Sequence, residues 1–166
     1  MTRIERIDTD HQNLMKSAYR AIFWGGVLAG ALDITAAFVT SGMRGRGPTS
    51  VLHSVASGLL GAGAFRGGLG TAVLGLLLHF LIAFVAAAVY YAASRKFQFL
   101  AERAVVCGLL YGVAVYLFMN FVVLQLSAVP FKLSYPPAAL ATGMLIHMLF
   151  VGLPISLAVR RYATWP

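Results

Sequence analysis

GLGTAVLGLLLHFLIAFVAAAVYYAA, residues Gly68–Ala93, is the stretch that decides the fold. It runs for 26 residues without a charged side chain and contains a single imidazole, His79. At about 1.5 Å per residue, a helix of this length exceeds the ~30 Å of a hydrocarbon core. Ala72, Gly75, His79, Ala83, Ala86 and Tyr90 recur at spacings of three and four, which stacks them on one helical face. Small residues let helix backbones approach closely, so this face is expected to point inward and take His79 with it.

Three more segments follow the same rule: Tyr19–Thr40, Ala104–Leu126 and Pro137–Val159. Each has more than twenty residues and is long enough to cross a bilayer. The expectation is an all-α integral membrane protein, one domain over 1–166, with four transmembrane helices in an antiparallel bundle. Composition agrees. Sixty per cent of the residues are hydrophobic, the mean hydropathy is +0.81, and only 11% are charged. A soluble domain carries roughly twice that charged fraction.

The formal charge of +8 does not mark a nucleic-acid binder. Lys and Arg sit at segment ends and in connections, where they anchor helices to lipid headgroups, and no basic residues alternate with aromatics along an exposed face. Counting them orients the chain. Arg3, Arg6, Lys16, Arg20, Arg95, Lys96, Arg103, Arg160 and Arg161 fall on one side; Arg44, Arg46, Arg66 and Lys132 fall on the other. Nine against four places both termini in the cytoplasm. Trp24, Tyr90, Tyr91, Tyr162 and Trp165 are then expected in an inner aromatic belt. Residues 1–18 read as a cytoplasmic juxtamembrane segment with a short helix, and their three acids make a poor signal-peptide n-region.

The connection 41–67 is an outer loop with its own short helix. Pro48 is a helix-start signal, Thr49-Ser50 are expected to cap Val51–Leu60, and that stretch is too short to span. It either lies in the interface or dips back into the bundle. The glycine-rich Gly61–Gly70 that follows lacks the spacing of a phosphate loop and reads as a tight approach to the second span.

One strongly polar residue on a face otherwise lined by Gly and Ala marks each span: Asp33, His79, Asn120 and His147. Gly26 and Gly30 share a face with Asp33; Gly108, Gly112 and Tyr116 with Asn120; and Gly143 with His147. With Gly75 beside His79, these glycines are the expected helix-packing positions. Counted from the outer ends, the four polar residues lie about six to eleven residues deep, within roughly 8 Å of one another along the membrane normal. They are therefore expected to meet in one layer, with Tyr116 hydrogen-bonded to it.

Ionisable groups in a bilayer are costly and have a partner or a task, and three readings follow. In the first the layer is structural glue, and the protein is a non-enzymatic accessory or oligomer-forming subunit. In the second Asp33, His79 and His147 serve a proton- or metal-linked small transporter or channel. In the third His79 and His147, each with glycine four residues earlier, are axial ligands of a haem b in an electron carrier. The first needs no cofactor; the others take a proton or transition metal, or haem. The expected partners are the lipid bilayer and further copies or other membrane subunits.

Signs of catalysis are sparse. GxSxG and HExxH are absent, and Ser50, Ser54 and Ser57 beside His53 are ordinary for an interfacial helix, so the reading is not an enzyme. His53 is expected to be solvated, Cys107 to be a small buried hydrophobe, and Pro154 to bend the fourth span. The stretch HFLIAFVAAAVY from His79 to Tyr90, the pair His147 and Arg160-Arg161, and Gly26-Val-Leu-Ala-Gly30 together resemble the YagU-like group of uncharacterised bacterial inner-membrane proteins. The resemblance implies a bacterial inner membrane and a four-helix topology, and it implies no activity.

Overall fold

The computed structural model of the chain describes residues 3–132, 134 and 136–163, with side chains at 12 and from 14 onward. Trp165 and the side chains of the first turns lie outside the described residues. Every described element is helical. We number them α1 (Arg3–Gly42), α2 (Pro48–Leu60), α3 (Gly68–Lys96), α4 (Phe99–Glu102), α5 (Ala104–Leu126) and α6 (Pro137–Tyr162). Four helices are long and apolar enough to cross a membrane: Leu14–Gly42, Gly68–Lys96, Ala104–Leu126 and Pro137–Tyr162.

Three details differ from expectation. The N-terminal segment is not a separate short helix; α1 runs unbroken for 40 residues, because no Gly, Pro or cap interrupts it before Tyr19. Thr49 and Ser50 do not cap α2. The N-cap is Gly47, and Pro48 takes the first helical position, where its missing N–H costs nothing. A single turn, Phe99–Glu102, also interrupts the connection between the second and third spans.

Side-chain contacts set the order of the helices. Phe84 lies over Gly26 and Phe80 over Gly30, so residue numbers rise along α1 as they fall along α3. Against α6, Gly25 meets Ile155 and Ala158, while Asp33 meets His147. Along α5 and α6 the pairs are Gly108 with Ser156, Gly112 with Met148, and Tyr116 with Gly143. The helices therefore follow one another in the order α3, α1, α6, α5. Two tyrosines join α3 to α5. Tyr111 donates its hydroxyl to the Ala86 carbonyl at 2.7 Å, and its ring meets that of Tyr90 edge-on at 4.9 Å.

The core lies at the end that carries the chain termini. Ala21, Ala29, Ala87, Tyr90, Val151, Ile155, Val159 and Ala163 form it. Tyr90 belongs to this core and not to an aromatic belt: it is 2% exposed, and its hydroxyl donates to the Leu100 carbonyl at 2.8 Å. Trp24 is exposed, and Tyr91 and Tyr162 are half-buried. Ser17 ties α1 to the end of α6 through the Tyr162 carbonyl at 2.9 Å. The outside of the four long helices is lined by exposed Leu, Val and Phe, among them Leu32, Leu77, Leu81, Val85, Leu110, Phe118, Leu149 and Leu157.

Candidate functional site

The opposite end of the bundle is not filled. A cavity of about 460 Å³ lies between α1, α3, α5 and α6 and is roofed by α2. Asp33, His79 and His147 all line it. They come from three helices, each placed by the small-residue face on which it sits. Gly30 lets the Phe80 ring cover α1, and this brings His79 to the Gly30 carbonyl. Gly143 makes room for Tyr116, whose ring stands edge-on to His147 at 5.0 Å.

The hydrogen bonds fix the protons on both imidazoles. His79 Nε2 lies 2.9 Å from the Gly30 carbonyl, and His147 Nδ1 lies 3.0 Å from the Gly143 carbonyl. A carbonyl oxygen only accepts, so each of these nitrogens carries the proton. His147 Nδ1 is also 3.9 Å from Asp33 Oδ1. That distance allows a charge interaction and is too long for a hydrogen bond. Both side chains are about four-fifths buried, with 19% of His147 and 21% of Asp33 exposed.

Asn120 does not join the other three. It is not part of the cavity wall, and its Nδ2 donates to the Tyr116 carbonyl one turn earlier on its own helix at 2.9 Å. Val115, Met119 and Val123, spaced by four, form the cavity-facing row of α5, and Asn120 stands with Tyr116 on the neighbouring row. Over Met119–Val123 the helix widens to a π turn. A second π turn, His147–Gly152, runs up to Pro154 on α6. Pro154 lacks an N–H, and the widened turn re-pairs the carbonyls before it, so the helix continues through the proline.

The roof was not foreseen as part of the site. Val51, Ser54, Val55, Gly58 and Leu59 of α2 line the cavity, and Ser127 and Phe131 close it from the segment after α5. Ala128 N–H donates to the Gly58 carbonyl at 2.9 Å and holds that segment on the roof. Gly75 makes the seat for α2: a Cβ there would overlap the Leu52 carbonyl. His53 is accordingly not simply solvated. Its Nε2 donates to the Gly68 carbonyl at 2.9 Å and latches α2 to the start of α3. The four-residue spacing of Ser50, Ser54 and Gly58 in the sequence was the available sign that one face of α2 is small and polar.

The remaining glycines mark close helix contacts. A Cβ on Gly108 would overlap Ser156 Oγ, and one on Gly112 would overlap the backbone of His147. Gly152, which the face analysis passed over, sits directly against the backbone of Gly108 and Gly112. Cys107 is half-buried, with its thiol 3.8 Å from the Phe99 carbonyl. Among the described residues no three His, Cys, Asp or Glu side chains gather as a metal-ligand set.

No protein-family model, curated protein or solved structure matches this chain.

Proposed function

We propose that the chain is a multi-pass protein of the bacterial inner membrane, an antiparallel four-helix bundle with cytoplasmic termini, that moves protons across the bilayer at Asp33 and His147 as a proton-linked small transporter or channel. The apolar exterior and the nine-to-four Lys/Arg distribution support the membrane part of this reading. One observation carries the rest: three ionisable side chains from three helices face a shared cavity of about 460 Å³. Polar groups that only glue helices together satisfy each other and close the space between them. Here the two imidazole protons go to backbone carbonyls, and the carboxylate stands open at 3.9 Å from its neighbour. Four helices are few for a carrier, so the reading includes a homo-oligomer. The transition-metal reading draws less support, because no three His, Cys, Asp or Glu side chains gather among the described residues.

Proteoliposomes with an internal pH dye test the reading. Under a potassium-diffusion potential, the wild type is expected to take up protons, and Asp33→Asn is expected to lose at least tenfold of that rate while inserting normally. Equal rates in the two proteins would return the layer to a structural role.

A further inference from the structure

Hydrogen-bond polarity inside the cavity indicates the ligand class. Five polar side chains line it: Asp33, Ser54, His79, Ser127 and His147. The donors of four are directed at backbone carbonyls. His79 Nε2 donates to Gly30 and His147 Nδ1 to Gly143. Ser54 Oγ donates to Ser50 at 2.9 Å, and Ser127 Oγ to Leu124 at 2.8 Å. Because a carbonyl oxygen only accepts, the proton of each of these groups is already engaged. With both imidazoles neutral, what remains for a ligand is acceptor capacity: two hydroxyl oxygens, two ring-nitrogen lone pairs and the Asp33 carboxylate. Among the described residues that carboxylate accepts no hydrogen bond, and its nearest titratable neighbour is His147 at 3.9 Å. No Lys or Arg lines the cavity, and the other walls are aliphatic or aromatic apart from the thioether of Met119.

We infer that the cavity binds an organic cation with hydrogen-bond donors, an apolar body ending in a protonated amine, with Asp33 as counter-charge. Each part of the site acts on this choice. Aliphatic walls lower the local dielectric and strengthen the attraction between ammonium and carboxylate. An acceptor-only lining leaves an anion with no donor, and a carboxylate or phosphate ligand would face Asp33 directly. A neutral hydrocarbon would leave the carboxylate desolvated and unpaired, which is costly. The volume falls within the range of sites for drug-sized molecules. The inference rests on the proton-linked transporter reading above and names its substrate class. Ammonium and proton would occupy Asp33 in turn, with His79 of α3 and His147 of α6 the titratable groups facing it and Tyr116 of α5 behind His147. α2 contributes Ser54 and no ionisable group to the cavity.

Three probes share one rigid apolar body: 1-adamantylammonium, 1-adamantanecarboxylate and 1-methyladamantane. Equilibrium dialysis against the full-length protein in mild detergent measures each, with protein-free micelles as the blank. The ammonium is expected to bind one per chain, at least tenfold tighter than either analogue. Asp33→Asn should weaken it at least tenfold. Val123→Phe, which narrows the cavity from α5, should weaken binding of all three, and unchanged binding of 1-methyladamantane by the Asp33 variant shows that it is folded. Equal binding of the methyl analogue, preference for the carboxylate, or ammonium binding that survives Asp33→Asn would overturn the inference. If no probe binds yet Asp33-dependent proton uptake persists, the cation class falls and the carrier reading stands. If the ammonium binds but no proton uptake is seen, the site stands and the carrier reading falls.

Discussion

The two ends of the bundle are built from the same residue types and behave as opposites. At the terminal end, Tyr90, Ile155 and Val159 are at most 2% exposed and pack in one apolar cluster. At the α2 end, the same small-residue faces border a cavity of about 460 Å³. The difference traces to what each face carries. Along the α5–α6 seam the meeting groups are Gly108, Gly112, Gly152 and Ser156, and backbone lies on backbone. Around the cavity the small residues alternate with Asp33, His79 and His147, whose polar atoms cannot be covered by methyl groups without losing solvation. Small residues thus produce tight contact where nothing polar must be accommodated, and a chamber where something must.

The largest test of this contrast is Gly152→Ala. Its Cβ would overlap the Gly108 carbonyl and the Gly112 nitrogen, and backbone atoms cannot move aside as a side chain can. A loss of about 3 kcal/mol is expected, at the upper end for overpacking, measured by denaturation in mixed micelles. The far larger addition of Val123→Phe should cost less than about 1 kcal/mol, because it grows into free space instead of a packed interior. If the two substitutions cost the same, the ends do not differ as described.

Truncation should show the contrast from the other side. Ile155→Ala at the fully buried end is expected to cost about 2 kcal/mol, and Leu124→Ala on the cavity wall less than half of that. A smaller effect is expected at the joint between the ends. Tyr111→Phe removes the bond to the Ala86 carbonyl, and thermal melts in detergent should register a loss of about 0.6 kcal/mol. The smallest stability change belongs to Asp33→Asn, within about 0.5 kcal/mol, because the carboxylate makes no hydrogen bond to lose. The same variant should have the largest effect on proton uptake, which separates structural weight from functional weight.

Much of this arrangement was legible in the chain. Spacings of three and four put His79 with Gly75 and His147 with Gly143, and depth counting put Asp33 and both histidines at one level. The same counting placed Asn120 with them, and there it failed. A depth argument fixes height along a helix and not rotation about it, and the row of α5 that faces the cavity is Val115, Met119 and Val123. α2 was legible as a short helix but not as a roof. Its seat depends on the Leu52 carbonyl meeting Gly75, a contact between residues that no local pattern relates. The belt assignment of Tyr90 failed for a similar reason: a tyrosine near a helix end suits an interface equally well until a carbonyl such as that of Leu100 is presented to it.

The amino-acid sequence by itself determined that the chain is helical, that four helices are apolar enough to cross a membrane, and that each carries one strongly polar residue on a small-residue face. These properties follow from local periodicity and composition, which act over a few turns. Only the tertiary structure decided which of the polar residues converge, that a cavity lies between them, and which carbonyls take their protons. Those outcomes depend on helix rotation and on which backbone carbonyl lies within reach of each imidazole and hydroxyl. Both are settled by packing between segments as far apart in the chain as Gly30 and His79.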